Sequence, residues 1–377
     1  MHKREDQMQN GFVENISLPN FPLWDSLKEK KKVVSFDLEI TSRCNNNCRH
    51  CYINLPAQDK KAKEKEIPLS FIENIADQAL DLGALWCLIT GGEPLLREDF
   101  TEIYLSLKRK GLLVSVFTNA TLINSRHIEL FKKYPPRDIE VTVYGVTRET
   151  YEQVSRVPGS FERFRRGLDL LLEAGIKVRF KAMALRSNAH ELREISDFCR
   201  ERTKDYFRFD PFLHLRYDRD PLRNEEIISE RLAPRKIVEI EQADQQRFDG
   251  LKSGCDSLIL PECEDKVCNH LFHCGSGNHS FAVSCEGFYR PCPSLWHPGC
   301  LFDLKQGSLD SAHNNFTPQV RQLRSDNQEF LEKCRRCTII NLCIWCPAHA
   351  YLETGFLDAH VKYFCEVANA RKEMLGK

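Results

Sequence analysis

No sign of charge prevails in this 377-residue chain: 54 lysines and arginines stand against 54 aspartates and glutamates. A balanced chain exerts no general attraction on nucleic acid or on an anionic membrane, and neither is expected as a partner. No stretch approaches the roughly eighteen uninterrupted apolar residues that would cross a bilayer, so no transmembrane helix is predicted. The opening residues, Met1-His-Lys-Arg-Glu-Asp-Gln, lack the apolar core of a signal peptide, and the expected location is the cytoplasm. The charge runs Lys28–Lys32 and Lys60–Glu66 read as solvated surface.

Cysteine, by contrast, is abundant, with 17 in the chain. Without a secretion signal these read as reduced thiols used for metal, not as disulfides. The length leaves room for one large domain and a smaller one, each with its own core. Residues 44–51 read Cys44-Asn-Asn-Asn-Cys48-Arg-His-Cys51, a CX3CX2C spacing with no fourth cysteine in the loop. Three thiolates can hold three irons of a [4Fe–4S] cluster, whereas a structural cluster normally takes four. The open corner would accept a ligand, as a catalytic zinc keeps one position free. The spacing alone also suits part of a zinc site.

Strand-like and helix-like segments alternate up to about residue 215. Apolar, β-branched runs lie at Val33–Ile40, Trp86–Thr90, Leu113–Phe117, Ile139–Tyr144, Ile176–Ala184 and Tyr206–Phe209. Ser70 with Glu73 is a capping box opening one helix, and Gly83 is where it should stop. Phe161, Phe164, Leu168, Leu171 and Leu172 share a face of another, with Gly175 just past its end. Repeated strand–helix units argue for a parallel sheet with helices outside it, and six make a partial barrel. Chemistry in such barrels sits at the C-terminal strand ends, where the cysteine loop and the turn Gly91-Gly92-Glu93-Pro94 both fall.

These two motifs, in this order and each after a strand, resemble the signature of radical S-adenosylmethionine (SAM) enzymes. The resemblance implies an α/β fold, a partial (β/α)6 TIM-like barrel, spanning residues 33–225 after an N-terminal extension, 1–32. It also implies that Cys44, Cys48 and Cys51 hold the catalytic cluster and that Gly91, Gly92, Glu93 and Pro94 bind the SAM amino group. His50 stands where the loop backbone meets adenine, or else packs against the cluster. Thr118 and Asn119, in a Thr-Asn-Ala-Thr-Leu run, would lie near the ribose. Thr142 and Arg156 match residues that hold the SAM carboxylate, for which a bidentate guanidinium is suited; structural hydrogen bonds are the alternative for both.

After a helical linker, 226–262, the cysteines become dense. Cys274, Gly287 and Cys292, then Cys334-X2-Cys337-X5-Cys343-X2-Cys346 and Cys365, resemble the SPASM domain of some radical SAM enzymes. The family pattern has X3 where this chain has X2 before Cys346. The resemblance implies a small, loop-rich domain, 263–377, with two closed auxiliary [4Fe–4S] clusters. Cys268, Cys274, Cys292 and Cys346 would hold the first, with Cys263 able to replace Cys268. Cys334, Cys337, Cys343 and Cys365 would hold the second. A zinc ribbon is the competing account of 334–346, although its two CX2C pairs stand too close together. Cys87 and Cys199 read as buried apolar residues.

The implied cofactors are SAM and three [4Fe–4S] clusters. A low-potential donor of flavodoxin or ferredoxin type would reduce the first, giving a 5′-deoxyadenosyl radical that takes hydrogen from substrate. SPASM enzymes commonly act on peptides, so the expected reaction is oxidation or crosslinking of a ribosomally made peptide. Pro293 stands where sulfatase-maturing members carry an aspartate base, which disfavours that activity. The residues before the first strand are too few for a fused leader-binding module, so a separate leader-binding protein is one expectation. A small-molecule dehydrogenase and a non-catalytic iron–sulfur carrier or scaffold are the alternatives. The segment Asp210–Asp218 offers ionisable groups at the active face, or a solvated loop.

Overall fold

The computed structural model describes residues 32–205, 207–260 and 268–376. Residues 1–31 of the N-terminal extension, Tyr206 and Cys263 lie outside the described residues. Each of the six expected runs contributes a strand: β1 Ser35–Thr41, β2 Trp86–Gly91, β3 Leu113–Thr118, β4 Asp138–Thr142, β5 Val178–Met183 and β6 Arg208–Asp210. All six are parallel, and each is hydrogen-bonded to the next along the chain. This is the partial barrel that alternating strands and helices imply.

The strands keep their two faces apart. In β5, Val178, Phe180 and Ala182 are buried while Arg179, Lys181 and Met183 are half-buried. The apolar set packs against the outer helices. Helix α1, Leu69–Asp81, buries Ile72, Ile75, Ala76 and Ala79, a helical spacing of three and four. Helices α2, Arg148–Ser155, and α3, Ser160–Glu173, follow β4, and α3 buries Phe164, Leu168 and Leu171. The main core therefore lies between sheet and helices. The opposite strand face carries Asp37, Glu39, Thr90, Thr142 and Lys181, which line a cavity inside the barrel.

Gly83 and Gly175 take left-handed conformations, φ +102° and +69°, just past α1 and α3, as their sequence positions anticipate. The capping box at Ser70 does not form. Pro68 takes the N-cap position of α1, no side chain caps the helix, and Ser70 already lies inside it. Proline's fixed φ suits it to a helix start and displaces the boundary toward the N-terminus.

Three strands from the cysteine-rich segment extend the same sheet. β7, Ser280–Val283, pairs in parallel with β1, with Asp37 opposite Ala282. β8, Phe288–Arg290, and β9, Phe302–Asp303, continue it antiparallel, giving nine strands. Stacking of Phe36 on Phe281, centroids 5.4 Å apart, seals the junction. Beyond these strands the segment is loop-rich, with small separate cores around Phe330 and Leu342. Helix α4, Pro221–Glu230, leaves β6 and α5, Pro347–Thr354, follows the last close cysteine pair.

Candidate active site

A cavity of about 450 Å³ brings together Cys44, Cys48, Cys51, His50, Gly91, Gly92, Thr118, Asn119 and Thr142. Of the residues expected there, Glu93, Pro94 and Arg156 stand outside its lining.

The cysteine loop leaves β1 through a short parallel ladder, Arg43–Cys44 with Leu55–Pro56, that pins its two ends together. The Asn46 N–H donates to Cys44 Sγ at 3.4 Å. Burial pushes the Cys44 thiol well above its usual range, and Glu93, Cys48 and Cys51 add like charge. Burial and Cys51 likewise push Cys48 up to about 12. Cys44 and Cys48, this reluctant to ionise, would need a nearby cation to act as thiolates, and an iron–sulfur cluster would supply one. Among the described residues no group of three or more His, Cys, Asp or Glu closes around one metal-ion position; these three share a wider cavity instead.

His50 meets Tyr144 edge-on at 5.4 Å, and its Nδ1 is buried without a hydrogen-bond partner. Burial lowers this imidazole to about 4, so it is neutral at pH 7. A neutral ring with an unspent nitrogen fits a site for a planar, hydrogen-bonding group such as adenine. The site's shape and thiols thus fit SAM and a cluster.

Gly91 and Gly92 serve the chain's own backbone. A Cβ at Gly91, φ +132°, would lie 2.2 Å from the Thr41 carbonyl oxygen, and one at Gly92 would lie 2.2 Å from that of Arg43. This closeness lets the Gly92 and Glu93 N–H groups donate to those carbonyls at 2.7 and 2.9 Å. Glu93 is fully buried, and its carboxylate accepts from Thr118 Oγ1 and the Asn119 N–H, each at 2.8 Å, and from the Leu95 N–H at 3.1 Å. It thereby ties the turn after β2 to the end of β3. Asn119 in turn donates from Nδ2 to Asn45 Oδ1 at 3.0 Å, beside Cys44.

Arg156 closes on Glu226 and on the Asn47 carbonyl in the cysteine loop. Asp210, at the end of β6, and Leu213 and His214, just after it, line the cavity. Arg216 is buried; it donates to the Asn54 carbonyl at 3.1 Å and pairs with Asp218, so it supports the loop. Sequence motifs missed Asp37, Lys181, Arg223, Glu226 and His349. The first two could have been found from ionisable residues at every second position of apolar strands; the others belong to no local pattern.

The later cysteines gather in two groups. Cys268, Cys274 and Cys346 line one cavity. Burial raises the nearby Cys292 thiol, with Cys346 and Cys274 adding to the effect. Cys334, Cys337, Cys343 and Cys365 line another pocket, and Cys343 also borders the first. The His349 N–H, in the first turn of α5, donates to Cys346 Sγ at 3.4 Å. The His349 ring stacks on His214 with centroids 4.1 Å apart. Pro293 and His349 also line the barrel cavity, so segments next to Cys292 and Cys346 reach it. Cys87 and Cys199 are buried in the core, as expected.

Residues 38–199 match the Radical SAM superfamily. Over 315 residues the chain is 27% identical to the antilisterial bacteriocin subtilosin biosynthesis protein AlbA of Bacillus subtilis. That match covers 82% of this chain and 66% of AlbA, so the chain spans just under two thirds of that relative. It is 24% identical to an AdoMet-dependent heme synthase of Methanosarcina barkeri, covering 84% of this chain and 92% of the synthase. The fold is also that of Streptococcus suis SuiB bound to its precursor peptide SuiA: TM-score 0.67 at 17% identity, covering 94% of this chain and 83% of SuiB. Family match, fold and the cavity at the cysteine loop agree, and residues 38–199 of this chain are a radical SAM domain.

Proposed function

We propose that this chain is a cytoplasmic SPASM-type radical SAM oxidoreductase that modifies a ribosomally made peptide, by crosslinking or oxidation. The observation that carries the reading is the cavity shared by Cys44, Cys48, Cys51 and His50 at the C-terminal strand ends. With a reduced cluster and SAM bound, the site supplies a 5′-deoxyadenosyl radical able to take hydrogen from a substrate. The protein's residues orient, exclude water and hold protons. His50 presents its free nitrogen, Thr118, Asn119 and Thr142 offer polar contacts, and Glu93 holds the two strand ends in register.

Two gathered sets of four thiols, Cys268/Cys274/Cys292/Cys346 and Cys334/Cys337/Cys343/Cys365, support two auxiliary clusters. Peptide chemistry is supported by the names of AlbA and of SuiB with its precursor peptide. A flavodoxin or ferredoxin would supply electrons, and a separate protein would present the leader. A small-molecule substrate is the second reading, favoured by the match along 92% of a heme synthase.

Anaerobic reconstitution tests the reading. The chain should take up about twelve irons, four per cluster, and with dithionite should turn SAM into 5′-deoxyadenosine. Cys51→Ala should abolish that turnover. Bound zinc with no SAM cleavage would make it a metal-binding scaffold instead.

A further inference from the structure

The cysteine loop is gripped from behind. Asn47, between Cys44 and Cys48, donates its N–H to the Ser155 carbonyl at 2.9 Å. Its own carbonyl accepts from Arg156 Nε at 2.7 Å. The Arg156 fork then meets both oxygens of Glu226, at 2.7 and 3.0 Å. Arg223, one turn earlier on α4, reaches the same carboxylate at 2.7 Å. It also donates to Asn47 Oδ1 at 3.2 Å, the Cys48 carbonyl at 3.3 Å and Asn54 Oδ1 at 2.9 Å. Arg156 itself stands at φ +56°, a left-handed conformation that costs a non-glycine residue energy and persists only where contacts hold it.

We propose that Arg156, Arg223 and Glu226 form a latch that sets the shape of the cysteine loop. They are positioning residues for what the three thiols bind, and the proposal rests on reading that loop as a cluster site. Isolated surface ion pairs contribute little, but bidentate guanidinium–carboxylate geometry within a network of charges is where such pairs count. Here one carboxylate joins two guanidinium groups, and both end on backbone carbonyls of the loop. The latch also spends the Arg156 fork on Glu226, which removes it from the pairing with the SAM carboxylate that its motif suggests. Glu226 and Arg223 lie beyond residue 199, so the radical SAM domain borrows its loop support from a later helix.

The test uses the full-length chain, wild type and Glu226→Gln, with iodoacetamide as the probe on the metal-free protein. Cys48 is 3% exposed and Cys334 is 6% exposed. With the latch broken, Cys48 should alkylate about tenfold faster through local opening, while Cys334 keeps its rate. After reconstitution, Glu226→Gln should need several-fold more SAM for half-maximal 5′-deoxyadenosine formation and should weaken the SAM-induced change in the cluster's electron paramagnetic resonance. Unchanged Cys48 alkylation together with an unchanged SAM requirement overturns the latch. If Cys334 also speeds up, the whole chain has loosened, and Arg223→Lys, which keeps the charge and loses the fork, decides by the same two rates. A wild-type chain that binds neither iron nor SAM removes the cluster reading, yet leaves the alkylation comparison standing.

Discussion

Arg290 Nη2 lies 2.6 Å from Glu39 Oε2, and both side chains are shut away from water. Neither atom completes a well-angled hydrogen bond, so the attraction is chiefly between the charges. The pair joins β1 of the radical SAM domain to β8, two residues before Cys292. Arg290 also donates to the Pro293 carbonyl at 2.8 Å and lies 3.6 Å over the Trp296 ring. Removing one partner of a buried pair strands the other charge, at a cost of about 3–5 kcal/mol. Arg290→Leu should therefore lower the melting temperature sharply, whereas Glu39→Gln with Arg290→Met should recover much of the loss. Thermal unfolding of the two variants against wild type is the measurement; equal losses in the single and the double variant would mean that the pair is not coupled.

Glu93 should tolerate no neutral isostere. Its two carboxylate oxygens accept three hydrogen bonds from Thr118, Asn119 and Leu95. An amide offers one acceptor oxygen and turns a donor toward either the Asn119 N–H or the Thr118 and Leu95 pair. One buried donor is left unmet, which costs about 1–3 kcal/mol. Glu93→Gln should unfold earlier in urea by that amount at pH 8, and Thr118→Val should lose part of the same energy.

The six parallel strands were legible because apolar β-branched runs recur between amphipathic helices, and the cysteine loop and Gly91–Pro94 turn were legible because their cysteines and glycines are close together in the chain. What escaped is non-local. β7 reads as a short apolar piece of the cysteine-rich segment, and only pairing across to β1 makes it part of the barrel sheet. The Ser70 box failed because a proline two residues earlier takes the cap position. Arg156 carries a matching motif, yet its partner Glu226 lies seventy positions away, where no spacing rule reaches. Ligand roles for the later cysteines were expectations implied by the resemblance to the SPASM pattern, and the structure adds that Cys334, Cys337, Cys343 and Cys365 share a pocket.

Asp37 should make the stability of this fold depend on pH. It lines the barrel cavity and makes no hydrogen bond or ion pair among the described residues. Burial, then Glu39, raises its carboxyl from 3.8 to about 6, against the opposing pull of Arg290 and Lys181. The folded chain therefore holds this proton more tightly than the unfolded one. That contribution is fully present below pH 3.8 and is lost as pH rises through about 6. Asp37→Asn should match wild type in melting temperature near pH 4 and exceed it at pH 8. A variant no more stable than wild type at pH 8 would show that the carboxylate is satisfied there.

Cys343 borders both pockets of the cysteine-rich segment, so its substitution tests the two proposed ligand sets against each other. If it belongs with Cys334, Cys337 and Cys365, Cys343→Ala should lower the iron content by about four, one cluster's worth. Cys346→Ala should cost the same number from the other set, because its thiol lies with Cys268 and Cys274. The double variant should then lose about eight and keep the irons of the Cys44–Cys51 loop. SAM cleavage by that loop should survive in all three, since its thiols lie in a different cavity. Iron and sulfide analysis of the three proteins decides the assignment: a double variant that loses no more than either single one would mean that both cysteines serve one cluster.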